Sequence, residues 1–105
     1  MSKIKVKDEV KKIKKPFHPL HLENVGDSHV YLVLVKGEYK KHRHPFDEFF
    51  YVIDGELELE LDEGTEKLKK GEGILVKKGK WHKSKSKKKA MVMMFEKTGL
   101  DMQFE

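Results

Sequence analysis

The stretch Gly37-Glu-Tyr-Lys-Lys-His42-Arg-His44-Pro-Phe-Asp-Glu48, followed by six residues and Gly55, is the part of the chain from which the fold can be predicted. Its flanks, residues 30–35 and 49–53, are rich in Val, Tyr, Phe and Ile, which favour extended structure. Side chains two positions apart on a strand point to the same face, so His42 and His44 present two imidazoles side by side. Glu48 comes after the kink at Pro45 and can return to that face.

Two neutral imidazoles and a carboxylate form a ligand group that suits a first-row divalent metal ion. A His-x-His pair can equally be two surface histidines on an exposed strand, and the residues alone leave both interpretations open. Further along the chain, His82 follows Gly79-Lys-Trp81 and is either a further ligand or a structural histidine. The sequence contains no cysteine, so a metal site would have to use histidine and carboxylate.

The spacing of these residues resembles the first motif of the cupin family. Gly37, His42, His44, Glu48 and Gly55 follow one another as in that motif, with one residue fewer between the first glycine and the first histidine. The resemblance therefore includes every position at which the family places a metal ligand in this segment.

The second cupin motif is similar to the series Gly71, Gly79 and His82. Lys77 stands where the family has proline, and Ser86 stands where it has asparagine. Neither difference falls on a ligand position. The fifteen residues between the two motifs are a short spacing, similar to that of single-domain microbial members, and the resemblance covers residues 28–95.

The resemblance implies an all-β fold, a small antiparallel β-barrel or double-stranded β-helix of the jelly-roll (cupin) type. It implies one divalent metal ion, Mn, Fe, Ni, Cu or Zn, bound by His42, His44, Glu48 and His82. The ion would serve to bind or act on a small polar or anionic molecule. Catalysis stays open: a metal-dependent dioxygenase or isomerase-like cupin is one alternative, and a non-catalytic small-ligand-binding or sensor cupin is the other.

Short strands separated by turn residues, from residue 29 onward, also favour an antiparallel barrel or jelly roll. Residues 48–54 are expected to form a strand that turns at Asp54-Gly55. Residues 56–61 alternate strictly between acidic and apolar side chains, which predicts an inward face made of Leu57, Leu59 and Leu61.

Two further strands are predicted at residues 81–86 and 90–96. If His82 points inward, strand alternation places Ser84 and Ser86 inward as well and the lysines between them outward. Four aromatic residues are candidates for the cavity or its rim: Tyr31, Tyr39, Tyr51 and Trp81.

We divide the 105 residues into an amino-terminal arm, residues 1–27, that packs on the barrel, and the cupin barrel itself, residues 28–105, within a single domain overall. Asp8–Lys15 is expected to form a short helix that is capped by Asp8 and stopped by Pro16. A strand over Ile4–Val6 is an equal alternative. Residues 16–26 are expected to be irregular chain.

The formal charge of +5 does not indicate a nucleic-acid partner, because Arg43 is the only arginine among 23 basic residues and no nucleic-acid motif is present. The abundance of lysine and glutamate is typical of heat-adapted organisms. No apolar run approaches the roughly 20 residues of a membrane span, so we expect no membrane partner and a cytoplasmic protein. Lysines near the site would favour an anionic ligand.

We expect a homodimer. Residues 30–35 and 49–53 are apolar at both strand parities, so some of their hydrophobic side chains face away from the barrel interior. Exposed sheet edges are also normally covered. The amino-terminal arm, with Ile4 and Val6, is a candidate to reach across to a partner subunit.

Overall fold

The computed structural model describes residues 3–99 and 102–105. These residues form one short helix and eight strands. In chain order the elements are α1 (Val6–Val10), β1 (Leu20–Val25), β2 (Ser28–Glu38), β3 (His42–Arg43), β4 (Glu48–Leu61), β5 (Gly64–Lys69), β6 (Gly73–Val76), β7 (His82–Lys97) and β8 (Gln103–Phe104).

Three long strands, β2, β4 and β7, form the frame of the fold. Strand β7 pairs with β2 along one side and with β4 along the other, and every strand pair in the described ranges is antiparallel. At its start, His82 of β7 lies opposite His42; near its end, Glu96 lies opposite Glu48. The all-β antiparallel jelly roll predicted from the sequence is confirmed.

Strand alternation builds the hydrophobic core. Leu57 and Leu59 have no exposed surface, while the glutamates that alternate with them, Glu56, Glu58 and Glu60, are exposed or half-buried, as the pattern predicts. They pack in one cluster with Val52 and Val92, which are also fully buried. Leu61, the third leucine of the alternating run, is half-buried at the edge of this cluster. One continuous core is therefore shared by β4 and β7.

The turn predicted at Asp54-Gly55 is wrong, because β4 runs through these residues as one strand. The pairing of β4 with β7 shifts register on either side of Gly55, which has a φ of 81°. A Cβ atom at this glycine would lie 2.2 Å from the carbonyl oxygen of Lys89, so no other residue fits this bulge without a shift of the backbone. Asp54-Gly55 in the sequence indicates a position where the backbone can adopt a positive φ. A turn and a β-bulge both use such a position, so the sequence did not distinguish them.

Strand β7 is likewise continuous where the sequence suggested two strands. Residues 87–89, which separate the predicted pieces, stay in the strand and are exposed. The inward parity predicted for His82, Ser84 and Ser86 is confirmed, because all three are buried. Lys83 and Lys85 between them are only half-buried and form ion pairs with glutamates of neighbouring strands.

The amino-terminal region differs from the prediction in two ways. Helix α1 begins after Lys5 and ends at Val10, so Asp8 lies inside it rather than at its cap, and the alternative strand over Ile4–Val6 does not form. Strand β1 pairs with β2 within the stretch predicted to be irregular. Met1 and Ser2 of the predicted arm lie outside the described residues, and the boundary between arm and barrel stays a prediction. No helix in the described ranges is long and apolar enough to cross a membrane.

Candidate metal centre

The four predicted ligands meet in the interior of the fold. His42 begins β3, Glu48 begins β4 and His82 begins β7, while His44 follows β3 directly. Their exposed fractions are only 6%, 4%, 3% and 1% for His42, His44, Glu48 and His82 respectively. One ligand atom from each residue lies within 4.8 Å of the ligand atoms of the others, a spacing that could hold one metal ion.

Local backbone structure holds the two ligand segments together. Pro45 has no N–H group to offer to a neighbouring strand, and β3 ends just before the residue preceding it. The N–H group of Gly79 donates a hydrogen bond of 2.7 Å to the carbonyl oxygen of His44. The segment that carries His82 is thereby tied to the segment that carries the His-x-His pair.

Glu48 lies at the centre of the ligand group. Its Oε1 atom is 3.0 Å from Nε2 of His82 and 3.3 Å from Nε2 of His44. The rings of His42 and His82 approach to 4.3 Å between centroids, and those of His42 and His44 to 4.9 Å. Three imidazoles therefore surround one carboxylate within a space the size of a coordination sphere.

Two of the histidines are oriented by backbone carbonyl groups. The Nδ1 atom of His42 lies 2.7 Å from the carbonyl oxygen of Lys40, and the Nδ1 atom of His82 lies 2.9 Å from the carbonyl oxygen of Lys80. Each Nδ1–H group can donate to that oxygen, which leaves the Nε2 lone pair directed at the centre. Metal-binding histidines are commonly held in this way.

The residues fit a bound metal ion. Oε1 of Glu48 and Nε2 of His82 are fully buried, and their close contact lacks the geometry of a hydrogen bond. Buried polar atoms are rarely left without a partner, and a cation between them would satisfy both. Such a cation would also reduce the free-energy cost of holding the Glu48 carboxylate away from water.

The charge states of the ligands also suit a metal ion. Burial alone would raise the pKa of Glu48, but the contacts with His82, Glu96 and His44 outweigh it and lower the pKa to about 2. Burial lowers the pKa of His42 to about 4, against the smaller effect of the hydrogen bond to Lys40. The carboxylate is therefore ionised and the His42 imidazole is neutral at neutral pH, which is the form in which each group coordinates.

A cavity of about 120 Å³ adjoins the ligand group. His42, His44 and Glu48 form one part of its wall, and most of the remaining wall is apolar: Val33, Val35, Phe50, Val92 and Met94. Phe17 from the amino-terminal segment and Met102 from the carboxyl-terminal segment also line the cavity. The cavity gives a small molecule access to any ion that these ligands hold.

The aromatic residues predicted for the cavity divide into two pairs. Tyr31 and Tyr39 line the cavity. Tyr51 is 37% exposed on the outer face of the sheet, and Trp81 is covered by Arg43, whose guanidinium carbon lies 4.5 Å from the ring centroid. No lysine is among the described residues that line this cavity, which agrees with the outward direction that strand alternation predicts for the lysines after His82.

Sequence reasoning missed Glu96, which is buried and lines the same cavity. Burial and the neighbouring carboxylate of Glu48 raise its pKa to about 9. Its Oε1 atom lies 3.5 Å from Nε2 of His29, and Tyr31 lies beside it. The signal that could have found it is parity, because Glu96 is an even number of residues from His82 on one continuous strand.

The raised pKa of Glu96 can be tested through the pH dependence of the free energy of unfolding. The folded, metal-free protein holds the Glu96 proton up to a pH of about 9, whereas the carboxyl has an ordinary pKa of 4.5 in the unfolded chain. The proton thus stabilises the fold at low pH, and this stabilisation is lost as the pH rises. Between about pH 7 and pH 9, we expect the free energy of unfolding to fall by about 2 kcal/mol more in the wild type than in Glu96→Gln. Chemical denaturation of both proteins across this range measures the difference, and parallel slopes would show that Glu96 is ionised when folded.

Comparison with known proteins shows which family the chain matches. The family model described as Cupin domain matches residues 29–96. An uncharacterised protein of Bacillus subtilis (strain 168), YdbB, is 39% identical over 67 residues, which cover 62% of this chain and 59% of that protein. This chain therefore aligns with only about three fifths of that relative's length.

Solved structures share the fold. A cupin-2 domain protein from Shewanella frigidimarina has a TM-score of 0.87 and 28% identity, and the match covers 90% of this chain and 93% of that one. The hydroquinone 1,2-dioxygenase PnpCD, crystallised with Cd²⁺ and 4-hydroxybenzonitrile, has a TM-score of 0.76 and 19% identity, over 87% of this chain and 70% of that one. The second likeness concerns the fold alone.

Proposed function

The chain belongs to the cupin family, and from this premise we propose that it binds one divalent transition-metal ion and uses that ion to bind a small organic molecule. The ligands are His42, His44, Glu48 and His82. The observation that carries the proposal is the convergence of four buried ligand atoms within 4.8 Å of one another.

The donor set limits the metal to a small group. Three imidazole nitrogens and one carboxylate oxygen suit Mn, Fe, Ni, Cu or Zn. A six-coordinate ion would keep two positions open, and an open position distinguishes a catalytic site from a closed structural one. When bound, such an ion supplies Lewis-acid chemistry that polarises an oxygen atom of the molecule it holds.

The protein's own groups prepare the site for this role. The carbonyl groups of Lys40 and Lys80 fix the tautomers of His42 and His82, so that each Nε2 atom is ready to coordinate. The low pKa of Glu48 keeps one negative charge in the interior. The apolar wall of the cavity excludes water from most of the ligand's surface, which strengthens every polar contact that the ligand does make.

We propose that turnover is of the dioxygenase or isomerase-like type. Support comes from the open coordination positions and from the cavity beside them. PnpCD, a relative in fold, is a hydroquinone 1,2-dioxygenase, which adds a precedent for such chemistry on this architecture without assigning the substrate here. A substrate screen with the protein loaded with each of the five metals, run aerobically and anaerobically, separates the two reaction types.

Metal titration tests the proposed centre. We expect the protein to bind one equivalent of Co²⁺ or Zn²⁺ in calorimetry at neutral pH. The affinity should fall as the pH is lowered, because a protonated imidazole cannot coordinate. Burial lowers the pKa of His42 to about 4, so the share of the loss due to His42 comes near that pH. Binding that stayed unchanged down to pH 4 would indicate ligands other than histidine.

We also propose that the protein is a homodimer. Four apolar side chains form an exposed patch on the outer face of the sheet, and the rings of Phe49 and Phe95 in it are 5.8 Å apart between centroids. The exposed fractions in this outer patch are 36% for Phe49, 37% for Tyr51, 46% for Leu75 and 39% for Phe95. A second copy that covers the outer patch would remove this surface from water.

Light scattering tests the dimer. We expect the wild type to have twice the mass of one chain at micromolar concentrations, and Phe95→Glu to have the mass of one chain, because the new charge would be buried in the interface. Lys97→Glu, two residues along the same strand, is the matched control and should stay dimeric. A wild type that is monomeric at high micromolar concentration would contradict the proposal.

The cytoplasmic location and the heat-adapted source expected from composition belong to the same proposal and rest on the sequence. The Lys–Glu pairs on the barrel exterior, such as Lys85 with Glu60 at 3.1 Å, are the kind of surface ion pair that contributes more at high temperature. Circular dichroism after prolonged heating measures how much folded structure remains and so tests the expected resistance to heat.

A further inference from the structure

The cavity beside the metal centre has a second polar group that the proposed coordination does not use. Glu96 is 8% exposed, and its Oε2 atom is fully buried without a hydrogen-bond partner among the described residues. The carboxyl group also contacts Glu48 and Tyr31, and its Oε1 atom is 3.5 Å from Nε2 of His29, which is longer than a good hydrogen bond. A buried carboxyl oxygen left without a partner is destabilising, so its position calls for a ligand group that meets it.

The position of Glu96 relative to the metal centre is set by the sheet. Glu96 lies directly opposite Glu48 in the pairing of β4 with β7. Residues opposite each other on one face have Cβ atoms about 4.5–5.5 Å apart. A molecule that touches both the metal and Glu96 therefore needs its two polar groups only a few atoms apart.

The rest of the cavity wall selects against charge. Around the metal ligands and Glu96, the cavity wall is largely apolar and includes Val33, Val35, Val92 and Met94. Lys83 and Lys85 alternate with the buried residues of β7 and point away from the cavity, where Lys85 pairs with Glu60 and Lys83 with Glu38. A phosphate group would meet no cation other than the metal, and it would lie beside two carboxyl groups.

We propose that Glu96 is the second ligand-binding group of this cavity, and that the ligand is a compact, mostly apolar molecule with one metal-binding oxygen and a hydroxyl group a few atoms away that hydrogen-bonds to Oε2 of Glu96. This inference rests on the proposed metal centre. A hydroxyl group both donates and accepts, so it pairs with the carboxyl group in either protonation state. Sugar phosphates and other polyanions are excluded by the same wall.

A pair of isosteric acids tests this inference. β-Hydroxyisovalerate and tert-butylacetate have the same shape and the same carboxylate, and differ in a hydroxyl that replaces a methyl group. With the Co²⁺-loaded wild type, we expect calorimetry to give about tenfold tighter binding of the hydroxy acid, because the hydroxyl pairs with a buried group that the methyl leaves unpaired. Inorganic phosphate, the third probe, should bind more weakly than the hydroxy acid.

The matched variants are Glu96→Leu and Glu96→Gln, each loaded with Co²⁺ to the same visible absorbance. We expect the ratio of the two affinities to fall to about one in Glu96→Leu and to remain above one in Glu96→Gln, whose amide still hydrogen-bonds. If Glu96→Leu fails to fold, Glu96→Met takes its place, because its unbranched side chain of similar length has only a weak acceptor, and the ratio should again fall to about one.

The outcomes separate this inference from the metal proposal. A wild type that binds no Co²⁺ would overturn the proposed function itself. A loaded wild type that binds neither acid, that binds both equally, or that prefers phosphate would overturn only the role of Glu96. A preference for the hydroxy acid that persists unchanged in Glu96→Leu would also overturn it, because the metal alone would then be selecting the hydroxyl.

Discussion

Replacing Glu48 with glutamine is expected to lower the affinity for a divalent ion at least about 100-fold, since changes outside the coordination sphere already cost 10–100-fold. Glu48 is the one anionic member of the ligand group, and its Oε1 atom lies 3.0 Å from His82 and 3.3 Å from His44. Glutamine keeps the volume of the side chain but removes the charge that stabilises the cation. Calorimetric titration of Co²⁺ into the metal-free protein measures the change.

The matched control is Glu60→Gln on the same strand. Glu60 faces the exterior and pairs with Lys85, so its loss should leave the metal affinity unchanged. At neutral pH the metal-free Glu48→Gln protein should unfold at a lower denaturant concentration than the wild type, because the contacts that lower the pKa of Glu48 to about 2 favour the ionised carboxylate in the folded state. Metal binding of Glu48→Gln equal to the wild type would place the ion elsewhere.

Replacing Leu59 with alanine is expected to destabilise the protein by about 2–5 kcal/mol, the usual range for a fully buried leucine. Leu59 has no exposed surface and packs in the core shared by β4 and β7. The ligand atoms lie on other residues, so at a temperature where the variant is folded its stoichiometry for Co²⁺ should remain one. Urea denaturation monitored by circular dichroism gives the free energy of unfolding.

Val25→Ala is the control for this prediction. Val25 is 64% exposed and is not part of the outer patch, so its truncation should change the free energy of unfolding of the metal-free protein by well under the Leu59 value. Equal losses for the two variants would contradict the assignment of Leu59 to the core shared by β4 and β7.

Much of the candidate site could be predicted from sequence because strand geometry converts spacing into direction. His42 and His44 share a face by parity, and both are buried with Glu48. The fourth position, His82, came from the resemblance to the second cupin motif rather than from any local pattern. The structure brings it opposite His42 in the pairing of β3 with β7, a contact across forty residues of chain.

The burial depth of the ligands and the pairing of the strands could not be predicted in the same way. Strand parity indicates which side chains share a face but not how deeply they lie, and His82 is 1% exposed and packs against Phe50 with ring centroids 5.9 Å apart. An alanine at position 82 would therefore lose packing as well as a ligand, which makes Glu48 the cleaner test. Glu96 was missed because the sequence suggested two strands, 81–86 and 90–96, so the parity that it shares with His82 on the continuous strand β7 was not carried across residues 87–89.

The continuity of β7 restricts how the length of this chain can change. From His82 to Glu96 the buried side chains fall on even-numbered positions, with Met91 as the exception. Deleting one of the three exposed lysines at 87–89 would put the two halves of the strand out of phase and turn either the metal ligand or the cavity carboxyl toward solvent. Deleting two would keep both inward. Only insertions and deletions of an even number of residues in this segment are therefore compatible with the site. The three lysines resemble a dispensable run, but their number fixes which face of the sheet the two halves of the strand present to the interior.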